Sequence, residues 1–176
     1  MRRLRQRLFR ALTTLPDRSG WGWSAAALCV YAAGAAAIGI PTGFLKLAPV
    51  ALRAGTLLGT SAILLLHPSF IEELLFRALP IPHPEEGAST RATAIGAALG
   101  VVLFVAAHPL DCLIFRPAAF TVFTNPVYLV LAGLLGLSCS VAYVRSGSIW
   151  PAVLLHWLAV NVWIFLLGGD ALLPLR

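Results

Sequence analysis

The sequence predicts an all-α, polytopic membrane bundle of about five spans, with a polar site held inside the membrane. Three observations predict it. Of the 176 residues, 59% are hydrophobic and 11% are charged, where soluble domains carry about a quarter. The apolar residues gather into runs long enough to cross about 30 Å of hydrocarbon as helix. Finally, Glu72, Glu73, Arg77, His108 and His156 interrupt those runs at positions that lipid alone makes costly.

The length allows one transmembrane domain, residues 24–176, behind a basic amphipathic segment, residues 1–23. Arg2, Arg3, Arg5, Arg7, Arg10 and Arg18 all precede the first apolar run. That bias places the N-terminus in the cytoplasm. Leu4, Leu8, Phe9, Leu12 and Leu15 stand between the arginines, a pattern suited to an anionic membrane surface. Nucleic acid is the lesser reading of a basic arm, and no nucleic-acid partner is expected. The run from Ser24 is too long for the core of a cleavable signal. Cys29, Cys112 and Cys139 show no paired metal spacing and read as small apolar fillers.

Trp21 and Trp23 mark the interface before a first span over about residues 24–40, rich in Ala and Gly and able to pack closely. Pro41 and Gly43 end it. The second span runs over about 54–79, with a kink expected at Pro68. The stretch from Pro80 to Gly87 is too rich in proline for continuous helix, and its Glu85 and Glu86 are expected to be solvated. The third span covers about 91–108. From Pro109 to Pro126, Asp111, Arg116, Pro117 and Asn125 interrupt the apolar residues, which suggests a lid or re-entrant piece. The fourth span covers about 127–144, a tight turn follows at 145–148, and the fifth covers about 149–167.

The second span carries Phe70-Ile71-Glu72-Glu73-Leu74-Leu75-Phe76-Arg77 near its end. Glu73 and Arg77, four apart, share a helix face in the favourable order. Glu72 lies about 100° round and faces something else. One paired carboxylate beside one free carboxylate is what a buried general base needs. A helix end with Arg77 snorkelling to water would look the same in isolation. His108 closes the third span, and His156 lies about two turns into the fifth. Asn161 follows His156 by five residues and sits about 140° from it, with Val160 nearer its face. Two glutamates and two histidines on three spans are explained together by one wet cavity.

These motifs, Glu72-Glu73-x-x-x-Arg77, Phe104-x-x-x-His108, and His156 in a span opening Gly147-Ser148-Ile149-Trp150-Pro151-Ala152, resemble those of the CAAX-protease and bacteriocin-processing family of intramembrane proteases, which includes the proteins called abortive-infection proteins. The resemblance covers roughly residues 70–168, within a protease-like core of about 54–168. It implies hydrolysis of a peptide bond in a membrane-associated or prenylated substrate. It also implies that Glu72 and His108 activate water, that Glu73 and Arg77 support the helix and its charge balance, and that His156, with Asn161, stabilises the oxyanion. In one respect the chain departs from the pattern, since the family's asparagine four residues after this histidine is Val160 here.

Metal dependence stays open at this stage. Glu72, His108 and His156 together form a known ligand set for a divalent metal such as zinc, while the helical His-Glu-x-x-His pattern is absent. The rival readings are a non-catalytic membrane adaptor or immunity protein of the same fold and a proton or ion transporter. One geometric demand follows from the spans. His108 stands 17 residues beyond Arg91, and at about 1.5 Å per residue a straight span carries it towards the opposite face from Glu72. For the two to meet, the span boundary must move.

Overall fold

The computed structural model describes residues 2–115 and 117–173; the interruption expected at Arg116 lies outside the described residues. A short helix, α1 (Arg2–Thr13), precedes five long apolar ones: α2 (Arg18–Gly39), α3 (Ala54–Ala78), α4 (Thr90–Ile114), α5 (Pro126–Ser146) and α6 (Ile149–Leu166). Each of these five is long and apolar enough to cross a membrane. The all-α bundle of about five spans is therefore the observed architecture.

Capping side chains set the helix starts. Asp17 accepts the Gly20 N–H at 2.6 Å, Ser89 the Ala92 N–H at 3.2 Å, and Asn125 the Val127 N–H at 2.8 Å. Such caps satisfy amides that the first helical turn leaves unpaired. Gly147 ends α5 at φ +66°, the left-handed conformation that favours glycine. α2 starts at Arg18, earlier than the expected position near Ser24, because the Asp17 cap precedes the tryptophans.

α3 is not a uniform rod. Its turns are wide over Leu65–Phe70 and again over Leu74–Ala78, and His67 is extended (φ −138°, ψ 116°) before a cis peptide bond to Pro68. The kink expected at Pro68 is present. α4, in contrast, runs through Pro109 to Ile114 and does not end at His108. Its buried stripe continues past the proline, with Phe104 and Cys112 eight residues apart on one face and both buried. Residues 109–114 are thus helix, and the expected lid shrinks to two short turns, Pro117–Ala119 and Phe120–Phe123.

Small residues let the helices approach. Ala132, Leu135, Cys139 and Ala142 of α5 meet Ala152, Leu155 and Ala159 of α6, with Phe104 and Ala27 closing the cluster. On α4, Gly96 lies against the Pro80 carbonyl and Gly100 against that of Phe76, so a Cβ at either would collide with backbone. This register sets depth. Counting on in opposite directions along the two helices, Phe104 falls level with Glu72, and His108 lies about one turn deeper. The first turns of α4 project beyond Pro80. The span boundary has moved although the helix still starts at Thr90, and His108 comes to the same cavity as Glu72.

The N-terminal segment docks on the protein. Leu8, Ala11 and Leu12 of α1 pack with Ala78, Ile81, Tyr143, Ile149 and Val153 at the end of the bundle. Arg7 makes two bonds to the Glu86 carboxylate, at 2.6 and 2.8 Å, and gives a third to the Leu79 carbonyl at 2.7 Å. Arg10 lies 3.2 Å from Glu85. Glu85 and Glu86 are therefore ion-paired and not simply solvated, because α1 brings its arginines down onto the loop. The Arg7 guanidinium holds the Glu86 carboxyl below its ordinary value of 4.5, and Glu86 in turn raises Arg7. His83, buried beneath α1, donates Nε2–H to the Gly147 carbonyl at 2.9 Å and accepts the Glu85 N–H on Nδ1 at 3.2 Å. The 80–87 loop and the 145–148 turn thus share one end of the bundle with α1.

Candidate active site

The break at His67–Pro68 resets α3 just before its acidic pair, and the wide turns that follow carry Glu73 and Arg77 into the core. Both are fully buried, with Arg77 Nη1 3.1 Å from Glu73 Oε1. The charges touch, but the guanidinium N–H groups are not aligned into hydrogen bonds. Arg77 instead spreads its charge over the Phe104 ring, 4.5 Å from the centroid, a cation–π contact strengthened by desolvation. Gly136 of α5 makes the room: a Cβ there would stand 3.1 Å from Arg77 Nη2.

Glu73 has a second partner. His156 donates Nδ1–H to Glu73 Oε1 at 2.8 Å, and its Nε2 lies 3.9 Å from Glu72 Oε2. His156 is held between the two adjacent carboxylates. Glu72 keeps 24% of its side chain exposed, and one of its oxygens has no hydrogen-bond partner among the described residues.

His108 enters from α4. Its Nδ1–H is donated to the Phe104 carbonyl at 2.8 Å, which leaves Nε2 as an acceptor in the neutral ring. Phe104, Phe123 and Tyr128 surround the imidazole edge to face, with centroids 4.9, 5.4 and 5.2 Å away. Glu72, His108 and His156 all line one cavity of about 640 Å³. A second, mainly apolar cavity of about 340 Å³ meets it at His108 and His156.

The structure therefore gathers Glu72, Glu73, Arg77 and His156 into direct contact and brings His108 to the same cavity. Asn161 is elsewhere. Its Oδ1 accepts from Ser61 Oγ at 2.7 Å, and its Nδ2 donates to the Trp157 carbonyl at 2.7 Å. Val160 lines the cavity in its place. The bond from Glu73 to His156 is absent from the sequence reading, because it joins residues 83 apart. The Phe104 ring is likewise legible only as a motif letter, although it touches Arg77, His108 and His156.

Among the described residues no three of His, Cys, Asp and Glu converge as metal ligands. Nδ1 of each histidine is bonded, to the Phe104 carbonyl and to Glu73, which leaves Nε2 of each ring without a hydrogen bond among the described residues.

A buried carboxylate–imidazole–guanidinium cluster, inside five apolar helices and beside a cavity, marks a polytopic membrane protein with ionisable groups held within its spans. Residues 53–162 match the family described as type II CAAX prenyl endopeptidase Rce1-like. That is more than half of the chain, and the protein belongs to this family. No curated protein and no solved structure gives a significant match.

Proposed function

We propose that the protein is an intramembrane endopeptidase in which Glu72 is the general base. The observation that carries this reading is the division of labour between two adjacent carboxylates. Each carboxylate keeps one oxygen without a hydrogen-bond partner among the described residues, but Glu73 is fully buried against Arg77 and His156, whereas Glu72 is part-exposed and lines the cavity. A water between Glu72 and the acceptor Nε2 of His108 would lose a proton to the carboxylate as its oxygen attacks the scissile carbonyl. The protonated Glu72 would then deliver that proton to the leaving amine. General-base help of this kind contributes about 10²–10⁴-fold.

His156 is the oxyanion donor in this scheme. Its Nδ1–H goes to Glu73, so donation from Nε2 requires the imidazolium form. An oxyanion donor contributes about 10²–10³-fold. Asn161 is not assigned a part, since both its bonds lie within the Ser61–Trp157 corner. Glu72, His108 and His156 lie within about one turn of depth, which favours hydrolysis over a transport relay.

The substrate class inferred is a membrane-associated peptide, prenylated substrates included, as the family's name suggests. The six N-terminal arginines support a cytoplasmic N-terminus, with the 80–87 loop and the 145–148 turn on the same side. The reading is tested by incubating purified protein in liposomes with a library of prenylated and unprenylated membrane peptides, beside Glu72→Gln. Cleavage that survives in Glu72→Gln removes the proposal.

A further inference from the structure

His67 lies near the middle of α3, 13 residues after Ala54 and 11 before Ala78. An ionisable side chain at that depth is costly against lipid, and one that persists marks a wet or ligand-bound surface. His67 is exposed and makes no hydrogen bond or ion pair with the described residues. It lines the same cavity as Glu72, His108 and His156, together with Pro68, Phe115 and Pro117. The extended backbone at His67 breaks α3 there, so this residue is presented by an irregular segment and not by a regular helical face. Both ring nitrogens are open, one able to donate and one to accept.

The geometry points to a binding site at the mid-membrane mouth of this cavity, where His67 hydrogen-bonds the main chain of an extended peptide and so aligns it with Glu72. The chemistry follows from the bilayer. A peptide that reaches the site from lipid must unwind before its amide can be attacked, and each unwound amide then needs a partner that hydrocarbon cannot provide. An unpaired imidazole supplies a donor and an acceptor together. Phe115, Pro117 and Phe123, which also line the cavity, are apolar and suited to the side chains of such a peptide. His67 is a positioning residue in this account, set apart from the reacting atoms by more than a helical turn. Its link to turnover rests on the endopeptidase reading; its role in binding does not.

Two measurements test it. With a peptide found by the liposome screen, His67→Leu, close in size and apolar, is expected to raise KM roughly three- to tenfold, the scale of one net hydrogen bond, with kcat little changed. His67→Gln, which keeps a donor and an acceptor, is expected to restore most of the loss. Binding is measured separately in the Glu72→Gln background, by anisotropy of a fluorescein-labelled apolar peptide and of the same peptide N-methylated along its centre. N-methylation and His67→Leu should each weaken binding, and together should be no worse than either alone, because they remove the same bond. Unchanged KM and binding in His67→Leu, a fall in kcat alone, or strictly additive losses would each overturn the site. If no peptide is cleaved by any variant, the endopeptidase reading fails, and the binding series still decides the role of His67.

Discussion

Two halves of the site meet at His156 and differ in what they border. On one side Glu73 and Arg77 have no exposure at all, and His156 and the Phe104 ring complete their surroundings. On the other side Glu72 and His108 border a cavity of about 640 Å³, and Glu72 keeps 24% of its side chain exposed. Glu72 and Glu73 are chemically identical neighbours in the chain. A rotation of about 100° sends one into a closed ion cluster and the other to an open wall. In the proposed function the closed half holds shape and charge, and the open half acts on the substrate. The separation also predicts that damage to each half should look different.

The largest effect is expected from the open half. Glu72→Gln preserves size and removes the base, so cleavage should fall about 10²–10⁴-fold while the thermal melt in detergent stays where it was. Because Glu72, His108 and His156 serve one step in the proposal, pairs of substitutions should be little worse than the worst single one. Residual turnover that drops in proportion with each added substitution would mean that they act independently.

Arg77→Ala strikes the closed half. It strands Glu73 and removes the cation from the Phe104 face, and breaking a buried pair costs about 3–5 kcal/mol. Lower yield and an earlier melt should accompany lost activity. A variant that melts normally would show that the cluster contributes little to the fold.

A third effect lies outside both halves, where α1 is fastened. The Glu86 carboxyl is held below its ordinary value of 4.5 when Arg7 is docked. A group whose value is lowered on docking contributes stability that is full above its undocked value. That stability is lost as the pH falls through the docked one. Limited proteolysis should therefore find residues 1–16 protected near neutrality and increasingly cut as the pH drops below the ordinary carboxylate range. Glu86→Gln should be cut to a similar degree at every pH tested. If acid exposes α1 equally in Glu86→Gln, another group holds the latch.

The smallest effect is expected at Asn161. Asn161→Ala removes two bonds in the Ser61–Trp157 corner, a loss on the order of 1 kcal/mol per net hydrogen bond, with cleavage little altered. A loss of cleavage comparable to that of Glu72→Gln, at unchanged stability, would return Asn161 to the oxyanion and overturn the division drawn here.

The sequence by itself determined the bundle and most of the cast. Apolar runs of membrane length admit little except helix, because lipid leaves no partner for a backbone that does not bond to itself. Within those runs charge is costly enough to draw attention to Glu72, Glu73, Arg77, His108 and His156. The spacing of Glu73 and Arg77 yields their ion pair because four residues is a local distance on a helix. What only the tertiary structure decided depends on separations that no local period records. Packing of Gly96 and Gly100 against the Pro80 and Phe76 carbonyls sets the register that brings His108 to the cavity. The bond from Glu73 to His156 crosses from α3 to α6, and Asn161 turns to Ser61, 100 residues away, while Val160 takes the wall. α1 is amphipathic in sequence whether it lies on lipid or on protein. It docks on protein because the end of the bundle offers an apolar seat and Glu86 a partner for Arg7. Periodicity decides which residues share a face, and only close contact between helices decides what that face meets.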